Sequence, residues 1–385
     1  MVISSKSDPY DIPKYSLTGD LLAFLECATQ YRFNSKGSLP PSTPVQLWFG
    51  EFIHGVMEEA FLRWKNEDFD VNHFDFEDVQ VISVSVAERL EAKGLHSYPG
   101  LFLKKDTPKR KCRDCLANKR AFQALSFWGK YLFPLIEGNE VKLEDIRPMK
   151  DYDPLYDRSD YYSITGVADV ITSVKLNEIK LDNQLMQFLV ADDKVKGYIN
   201  RGEDFEIIID YKGMERPHIN DPDSKTWEYH EWQLNTYMFL RKAQLMSEGK
   251  KTQVVAGILM YLNELEPSEE FKKKFPEIIR NGWSDVIPDS YNLKRINNLE
   301  NTDEVFKRKR CIRIIPYDQY NIDLSLLNFD NVVKMIESNV FKETEDSSDV
   351  MKHWVGTYKE ERCTACDMKP FCKYAKEGRF TINVP

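Results

Sequence analysis

The stretch EIIIDYKG at residues 206–213 places two opposite charges directly after a run of three isoleucines. The isoleucines predict a buried β-strand. Because residues i and i+2 of a strand project from the same face, Asp210 and Lys212 are expected to point together from its end. A carboxylate held in this way can bind a hard cation such as Mg²⁺ or Mn²⁺, while the ammonium can polarise an attacking water. A structural ion pair is the alternative interpretation of the same two residues.

A second carboxylate, a histidine and a polar helix face extend this pattern. Asp169 ends the motif GVAD on a predicted strand, and His54 ends the motif GEFIH on a predicted helix. Gln233 and Tyr237 lie four residues apart in QLNTY, so they share one face of a predicted helix. Taken singly, each has an ordinary alternative: His54 as a hydrogen-bonded helix histidine, and the Gln–Tyr pair as helix packing.

The elements that must position these residues alternate between helices and strands. Helices are predicted at residues 15–33, 45–65 and 226–246, and strands at 161–174, 205–213 and 253–263, with an extra edge strand at 142–152. An inserted helix is predicted at residues 181–200. This order is typical of a mixed α/β sheet with helices packed on it.

The four motifs together resemble the PD-(D/E)XK nuclease superfamily, and within it the RecB-like branch. GEFIH, GVAD, DYK and QLNTY occur in the family's order, and the resemblance covers residues 15–265 and 360–375. It implies a restriction-endonuclease-like mixed sheet flanked by helices, with helical insertions. It also implies a metal-dependent nuclease that hydrolyses DNA phosphodiester bonds, as a single-strand or DNA-end exonuclease.

The resemblance also implies a role for each residue of the motifs. The ligands of a Mg²⁺ or Mn²⁺ ion would be His54, Asp169, Asp210 and the carbonyl of Tyr211. Lys212 would orient the attacking water and offset charge on the scissile phosphate. The catalytic set implied by the family is Lys212, Asp169, Asp210, Gln233 and Tyr237.

Three cysteines near the C-terminus have metal-ligand spacing. Cys363, Cys366 and Cys372 form C-x2-C-x5-C, which supplies three thiolates and leaves a fourth to come from elsewhere, with Cys27 as the candidate. In the RecB-like branch, which includes AddB subunits and CRISPR-associated exonucleases, one N-terminal and three C-terminal cysteines bind a 4Fe-4S cluster. The resemblance therefore implies an iron-sulfur staple that joins the two termini. A zinc ion would use the same four ligands, and spacing alone does not exclude it.

The remaining cysteines have no such pattern. Cys112 and Cys115 form another C-x2-C without an obvious second pair, and we expect them, like Cys311, to be unligated. Seven cysteines without an export signal favour reduced thiols and metal ligation over a disulfide framework.

Positive charge is clustered although the net charge is −9. Basic runs occupy residues 104–120 and 307–313, and each has a solvated face as its simplest interpretation. The first run is predicted to track DNA through Lys109, Arg110 and Lys111. Aromatic residues available for base stacking next to it are Phe122, Phe127 and Trp128.

The chain has 385 residues with 42% hydrophobic content, enough to bury a sizeable core, and no apolar segment long enough to span a bilayer. We therefore expect a soluble cytoplasmic protein that does not bind membranes. Five regions are predicted: an N-terminal helix at 1–40, a helical region at 41–140, the nuclease core at 141–265, a peripheral helical region at 266–360 and an iron-sulfur segment at 361–385.

The expected activity leaves several partners and pathways open. DNA repair, CRISPR adaptation and defence are all compatible with a DNA nuclease, and helicase or CRISPR adaptation proteins are possible partners besides DNA. A catalytically idle iron-sulfur DNA-binding subunit of a helicase–nuclease complex is the main alternative. A redox or electron-transfer protein is a third, which the nuclease motifs make unnecessary.

Overall fold

A mixed six-stranded sheet lies at the centre of the chain. The computed structural model describes residues 12–36, 45–97, 115–175, 182–199, 204–222, 224–288, 304–364 and 366–375. Its strands are β1 Lys14–Ser16, β2 Ile136–Pro148, β3 Tyr161–Thr172, β4 Phe205–Lys212, β5 Gln253–Tyr261 and β6 Ile312–Pro316.

The strand order is β1-β3-β4-β5-β6, with β2 paired to β3. β4 and β5 run parallel, as do β1 and β3, and the remaining pairs are antiparallel. β3 and β4 pair only through Val170↔Ile209 and Ile171↔Ile208. Beyond Val170 and Ile209 the two strands separate, which leaves an opening in the sheet at this point.

Helices cover both faces of the sheet. In chain order they are α1 Ala23–Glu26, α2 Ala28–Tyr31, α3 Val45–Lys65, α4 Phe76–Ala92, α5 Leu116–Ala124, α6 Lys130–Leu132, α7 Gln184–Val190, α8 Asp193–Ile199, α9 Thr226–Ser247, α10 Glu269–Arg280, α11 Glu304–Cys311, α12 Gln319–Glu345, α13 Val350–His353 and α14 Glu360–Thr364. π-helical turns lie at Leu17–Leu22, Arg32–Lys36 and Leu125–Gly129, and 3-10 turns at Phe133–Leu135 and Leu262–Glu264. None of the helices in the described ranges has the length and apolar character needed to cross a membrane.

The isoleucine run of β4 is buried on both faces of the sheet. Ile207 and Ile209 belong to the core that contains α3, α4 and α5, whereas Ile208 belongs to the core that contains α9 and α12. A strand covered on both sides reads as a continuous apolar run, and this is why EIII shows no alternation. The packing on both faces fixes the strand that carries Asp210 and Lys212.

The predicted α/β class with a mixed sheet flanked by helices is confirmed. The strands expected at residues 161–174, 205–213 and 253–263 are present, and the helix expected at 226–246 is α9. The edge strand predicted at 142–152 coincides with β2 only as far as Pro148, and β2 begins earlier, at Ile136. Strands β1 and β6 were not predicted. Residues 266–360, expected to be helical, also supply β6, and residues 181–200 contain two short helices instead of one.

The prediction of one continuous helix at residues 15–33 is wrong. Residues 14–16 form β1, and the helical segment is interrupted at Cys27, whose backbone is extended with φ −163° and ψ 103°. The helical periodicity of the apolar residues is the same on both sides of this interruption, so the sequence pattern did not reveal it. The interruption lies at the residue predicted to be the fourth cluster ligand.

Candidate active site

Two carboxylates lie where β3 and β4 separate. Asp169 immediately precedes Val170 and Asp210 immediately follows Ile209, so both lie next to the last residue pair of the antiparallel strands. The backbone N–H of Tyr211 donates a hydrogen bond of 2.7 Å to Oδ2 of Asp169, which ties the two strands together at the point where their ladder ends. Asp169 and Asp210 lie beyond the last backbone hydrogen bonds between the two strands, so both carboxylates can bind the same cation.

Helix α3 brings His54 over the end of β4. Nε2 of His54 lies 2.7 Å from the carbonyl oxygen of Tyr211, and Nδ1 lies 3.4 Å from Oδ2 of Asp169. This approach requires Gly213, because a Cβ there would lie 2.9 Å from the Cα of Gly50. A side chain at residue 213 would thus separate α3 from the strand that it must contact.

Gln233 connects the charged pair of β4 to helix α9. Its Oε1 accepts a hydrogen bond of 2.7 Å from Lys212, and its Nε2 donates to Oδ1 of Asp210 at 3.1 Å. The same Nε2 lies 3.1 Å from the hydroxyl oxygen of Tyr237, one turn further along α9. Lys212 also lies 2.7 Å from Oδ2 of Asp210. The amide of Gln233 therefore fixes both members of the Asp210–Lys212 pair.

Gly166 of the GVAD motif makes room for Tyr237. A Cβ at Gly166 would lie 2.6 Å from Cε1 of the Tyr237 ring. Burial raises the pKa of Tyr237, so the hydroxyl stays protonated. The motifs GVAD and QLNTY are thus in direct contact, although 67 residues separate Gly166 from Gln233 in the sequence.

Glu140 is a candidate site residue that was not predicted from the sequence. Ligand atoms of His54, Glu140 and Asp169 all lie within 4.8 Å of one another, and no other trio of His, Cys, Asp or Glu ligand atoms in the described ranges does so. Glu140 lies in β2 and has a φ of +49°, a left-handed conformation that is uncommon for a residue with a side chain. Glu140 precedes the edge strand predicted at residues 142–152, so no strand or motif pattern in the sequence marked it as a site residue.

The carboxylates and the imidazole modify one another's proton affinity. Burial lowers the pKa of His54, but the charge and hydrogen bond of Asp169 outweigh it and raise the pKa to about 9. Burial raises the pKa of Asp210, while the charge of Lys212 opposes this shift. Burial and then the negative charge of Asp169 raise the pKa of Glu140. Concentrated negative charge of this kind is typical of a site that binds a cation.

All the predicted active-site residues line one cavity of about 890 Å³: His54, Asp169, Asp210, Tyr211, Lys212, Gln233 and Tyr237. The cavity extends from the end of β4 to the π-helical turn after β1, where Gly19 and Thr18 form part of its wall. Residues from α3, β3, β4 and α9 thus converge at one place. This convergence was predicted from the order of the motifs.

Four cysteines lie together at the junction of the two chain ends. Burial raises the pKa of the Cys366 thiol, and the charges of Cys27, Cys372 and Cys363 raise it further. All four are half-buried. Within the described ranges, no three cysteine sulfurs lie within 4.8 Å of one another.

The other cysteines lie away from this junction. Cys311 and Cys115 are buried in the core, and burial raises the pKa of the Cys311 thiol to about 12. Cys112 lies outside the described residues.

The basic runs differ from the prediction where they are described. Arg120 is buried and donates to the carbonyl of Glu266, and Arg310 forms a buried bidentate pair with Glu264 at 2.7 and 2.9 Å. Arg313 is also buried. These arginines therefore hold the fold together and are not solvated. Lys109, Arg110 and Lys111 lie outside the described residues, so their assignment to DNA stays a prediction.

The prediction that aromatic residues beside the first basic run are available for base stacking is wrong for two of the three residues. Phe127 and Trp128 are buried in the core. Phe122 packs against Phe74 and Phe76, with ring centroids 5.7 and 5.5 Å apart. Because Phe127 and Trp128 are buried, they cannot contact a nucleic acid.

No protein-family model matches the chain, and no curated protein matches it in sequence. The resemblance to PD-(D/E)XK nucleases therefore depends on the four motifs and remains a prediction about family. The geometry of the site is independent of that resemblance, because it follows from contacts between residues far apart in the sequence.

Proposed function

We propose that this protein is a metal-dependent DNA nuclease of the PD-(D/E)XK type, within the RecB-like branch, acting on single strands or DNA ends. One observation carries the proposal: the seven residues selected from four separate motifs line a single cavity. A chance set of motifs would be distributed over the surface and the core. The restriction-endonuclease-like fold is part of the same proposal, supported by the mixed sheet with its helices on both faces.

The donor atoms fit a hard divalent cation. Nδ1 of His54 lies 3.4 Å from Oδ2 of Asp169, close to the spacing of about 3 Å between neighbouring ligands of an octahedral ion with bonds of about 2.1 Å, while Nε2 is hydrogen-bonded to the carbonyl oxygen of Tyr211. Asp169 and Glu140 contribute carboxylate oxygens to the same place. These residues, with Asp210, would hold Mg²⁺ or Mn²⁺. When bound, such an ion supplies positive charge that stabilises the transition state of phosphodiester hydrolysis.

The chain's own residues position the reactants. Lys212 lies at the cavity wall and is fixed by Gln233 and Asp210, so its ammonium can orient an attacking water and offset charge on the phosphate. Tyr237 in turn fixes Gln233 through the hydrogen bond between them. The charged pair that follows the isoleucine run is thus held rigidly, as precise positioning requires.

We also propose that Cys27, Cys363, Cys366 and Cys372 bind a 4Fe-4S cluster. Their shared neighbourhood supports a common metal centre, and the resemblance to RecB-like nucleases favours this cluster over a single zinc ion. The cluster would join the segment that contains α1 and α2 to the C-terminal tail, as a structural link outside the hydrolytic site.

The function is tested by cleavage of end-labelled single-stranded DNA with Mg²⁺ or Mn²⁺ and with EDTA. We expect metal-dependent cleavage by the wild-type protein and none by Lys212→Ala or Asp210→Ala, both of which should still bind DNA because phosphate contacts elsewhere carry the affinity. Lys225→Ala is a matched control, since Lys225 is exposed at the start of α9. Cleavage retained by either active-site variant would refute the assignment. Binding without cleavage by the wild type would favour the idle DNA-binding subunit.

A further inference from the structure

A histidine and a tryptophan stack at the protein surface near the segment that follows Lys212. The ring centroids of His218 and Trp283 are 5.3 Å apart, and their planes differ by 20°. Trp283 keeps 37% of its surface exposed. The imidazole therefore supports one part of the indole while another part remains accessible to a planar ligand.

The two rings are held by a rigid backbone. Trp283 follows the C-terminal end of α10, where Gly282 has a φ of +67° and the N–H of Trp283 donates to the carbonyl of Ile278 at 3.0 Å. This is the hydrogen bond of a glycine-terminated helix. The N–H of Ile219, next to His218, donates to the carbonyl of Trp283 at 3.1 Å. The stacked pair is thus organised before any ligand binds.

The pair is also tied to the active-site strand. Arg216, between Lys212 and His218, donates its backbone N–H to Glu264 at 2.8 Å and its Nε to Asp285 at 2.7 Å. Asp285 lies two residues beyond Trp283, so this ion pair joins the segments that carry the two rings.

The short segment between Lys212 and His218 limits the distance between the stacked pair and the active site. Six residues separate Lys212 from His218, and a chain of that length spans at most about 22 Å. Met214, between them, lines the catalytic cavity and keeps 37% of its surface exposed. The stacked pair therefore lies within reach of a nucleic acid strand that occupies the cavity.

The cavity itself offers little surface for base stacking. Its two tyrosines, Tyr211 and Tyr237, are both 4% exposed, and its one imidazole, that of His54, is engaged by Asp169 and by the carbonyl of Tyr211. The charged groups around them can contact phosphates but not the faces of bases. Stacking of the substrate bases must therefore come from residues outside the cavity.

We propose that Trp283, supported by His218, is a stacking platform for an unpaired nucleobase of the substrate, a few nucleotides from the scissile phosphate. This inference rests on the proposed nuclease function and narrows its substrate to single-stranded DNA or a single-stranded end. A base can stack on an aromatic side chain only when its face is free, and stacking does not depend on base identity. The platform thus selects for strand state and not for sequence.

The first test measures binding of a fluorescent single-stranded oligonucleotide by anisotropy, with Ca²⁺ in place of Mg²⁺ so that cleavage does not interfere. Trp283→Ala should weaken binding by about 5- to 150-fold, the range found when one stacked base loses its aromatic partner. Trp283→Phe keeps a stacking face and should stay within about threefold of wild type. Tyr320→Ala, an aromatic 75% exposed on α12, is the matched control and should have no effect. Equal affinity of Trp283→Ala and wild type would overturn the proposal, and would also be the result if Trp283 contacted a protein partner.

The second test uses oligonucleotides with one abasic nucleotide at successive positions. Wild type should lose affinity at one position, and Trp283→Ala should be insensitive to the missing base at that same position. If Trp283→Ala lowers the affinity for abasic and for intact strands by the same factor relative to wild type, its defect is structural and the platform is refuted. The proposed function fails separately, through absence of Mg²⁺-dependent cleavage by wild type, and the binding tests remain decisive in that case.

Discussion

Arg362 and Glu26 join the two ends of the chain beside the four cysteines. Nη1 of Arg362 donates to the carbonyl of Glu26 at 2.6 Å, and Nη2 lies 3.0 Å from its carboxylate. These residues directly precede Cys363 and Cys27. A second link, the buried pair of Arg32 with Glu343 on α12, lies nearby in the same junction. The two chain ends are therefore connected by protein contacts even without a cluster.

Cys27→Ala should lose most of its iron and part of its stability without unfolding. Anaerobically purified wild type should be brown, with about four irons per chain and broad absorption near roughly 400 nm, because four thiolates complete a cubane cluster. The variant should be nearly colourless and melt at a lower temperature, yet keep its far-ultraviolet circular dichroism because the arginine contacts remain. Iron analysis and thermal unfolding measure both effects.

Cys112→Ala is the control and should keep its iron. A brown Cys27→Ala protein together with a colourless Cys112→Ala protein would show that the fourth ligand is misassigned.

Gly213→Ala should lower both stability and cleavage. The added Cβ would lie 2.9 Å from backbone of α3, so the helix that carries His54 must move. Overpacking of this kind costs about 1–3 kcal/mol, and a small displacement of an active-site group costs about tenfold to a hundredfold in rate. Urea unfolding and single-turnover cleavage measure the two losses.

Gly197→Ala is the matched control for that substitution. Its Cβ would meet nothing within 4 Å, and it lies in helix α8. Alanine there should stabilise the protein by up to about 1 kcal/mol and leave cleavage unchanged. Full activity and normal stability of Gly213→Ala would mean that α3 does not need this close approach.

Glu140→Gln should weaken binding of the divalent ion. The substitution keeps the size of the side chain but removes one of the three charged or imidazole groups gathered within 4.8 Å. We expect the Mn²⁺ concentration for half-maximal binding, measured by calorimetry, to rise by at least about tenfold. Glu137→Gln, an exposed residue on the same strand, should bind Mn²⁺ like the wild type. Unchanged Mn²⁺ affinity of Glu140→Gln would remove this residue from the site.

His230 should make the protein less stable as the pH falls. Burial, with the charges of Lys212 and Arg313, lowers its pKa to about 2, whereas the unfolded chain titrates near about 6.5. Between about pH 6.5 and pH 2 only the unfolded state takes up the proton. The free energy of unfolding that the neutral, buried His230 contributes is therefore fully present above about pH 6.5 and is lost progressively as the pH falls toward about 2. The slope for one group is at most about 1.4 kcal/mol per pH unit.

His230→Gln should therefore show a shallower decrease in the free energy of unfolding between pH 7 and pH 5 than wild type, as measured with urea at several pH values. His96→Gln, at an exposed position, serves as control and should keep the wild-type slope. Parallel curves for wild type and His230→Gln would contradict the assignment.

Much of the sheet and of the site could be predicted because local sequence patterns indicate the strands and helices that form them. The uninterrupted isoleucines of β4 indicated a strand buried on both faces, and the spacing of Gln233 and Tyr237 indicated a shared helix face. By contrast, β6 follows directly after a run of basic residues that shows no strand pattern. Arg310, just before β6, is buried against Glu264, and Arg313, within β6, is buried against Glu231. Both acidic partners come from distant segments of the chain.

The residue types at the end of β4 and on one face of α9 can be read directly from the sequence, since they follow from the periodicity of the backbone. Tertiary structure alone decided that Glu140 joins His54 and Asp169, that Gly213 admits helix α3, and that Phe127 and Trp128 are core residues. The physical reason is that a contact between distant segments depends on how whole elements pack. A residue's charge or size is visible in the sequence, whereas the neighbour that satisfies it is set only when the sheet and its helices are assembled.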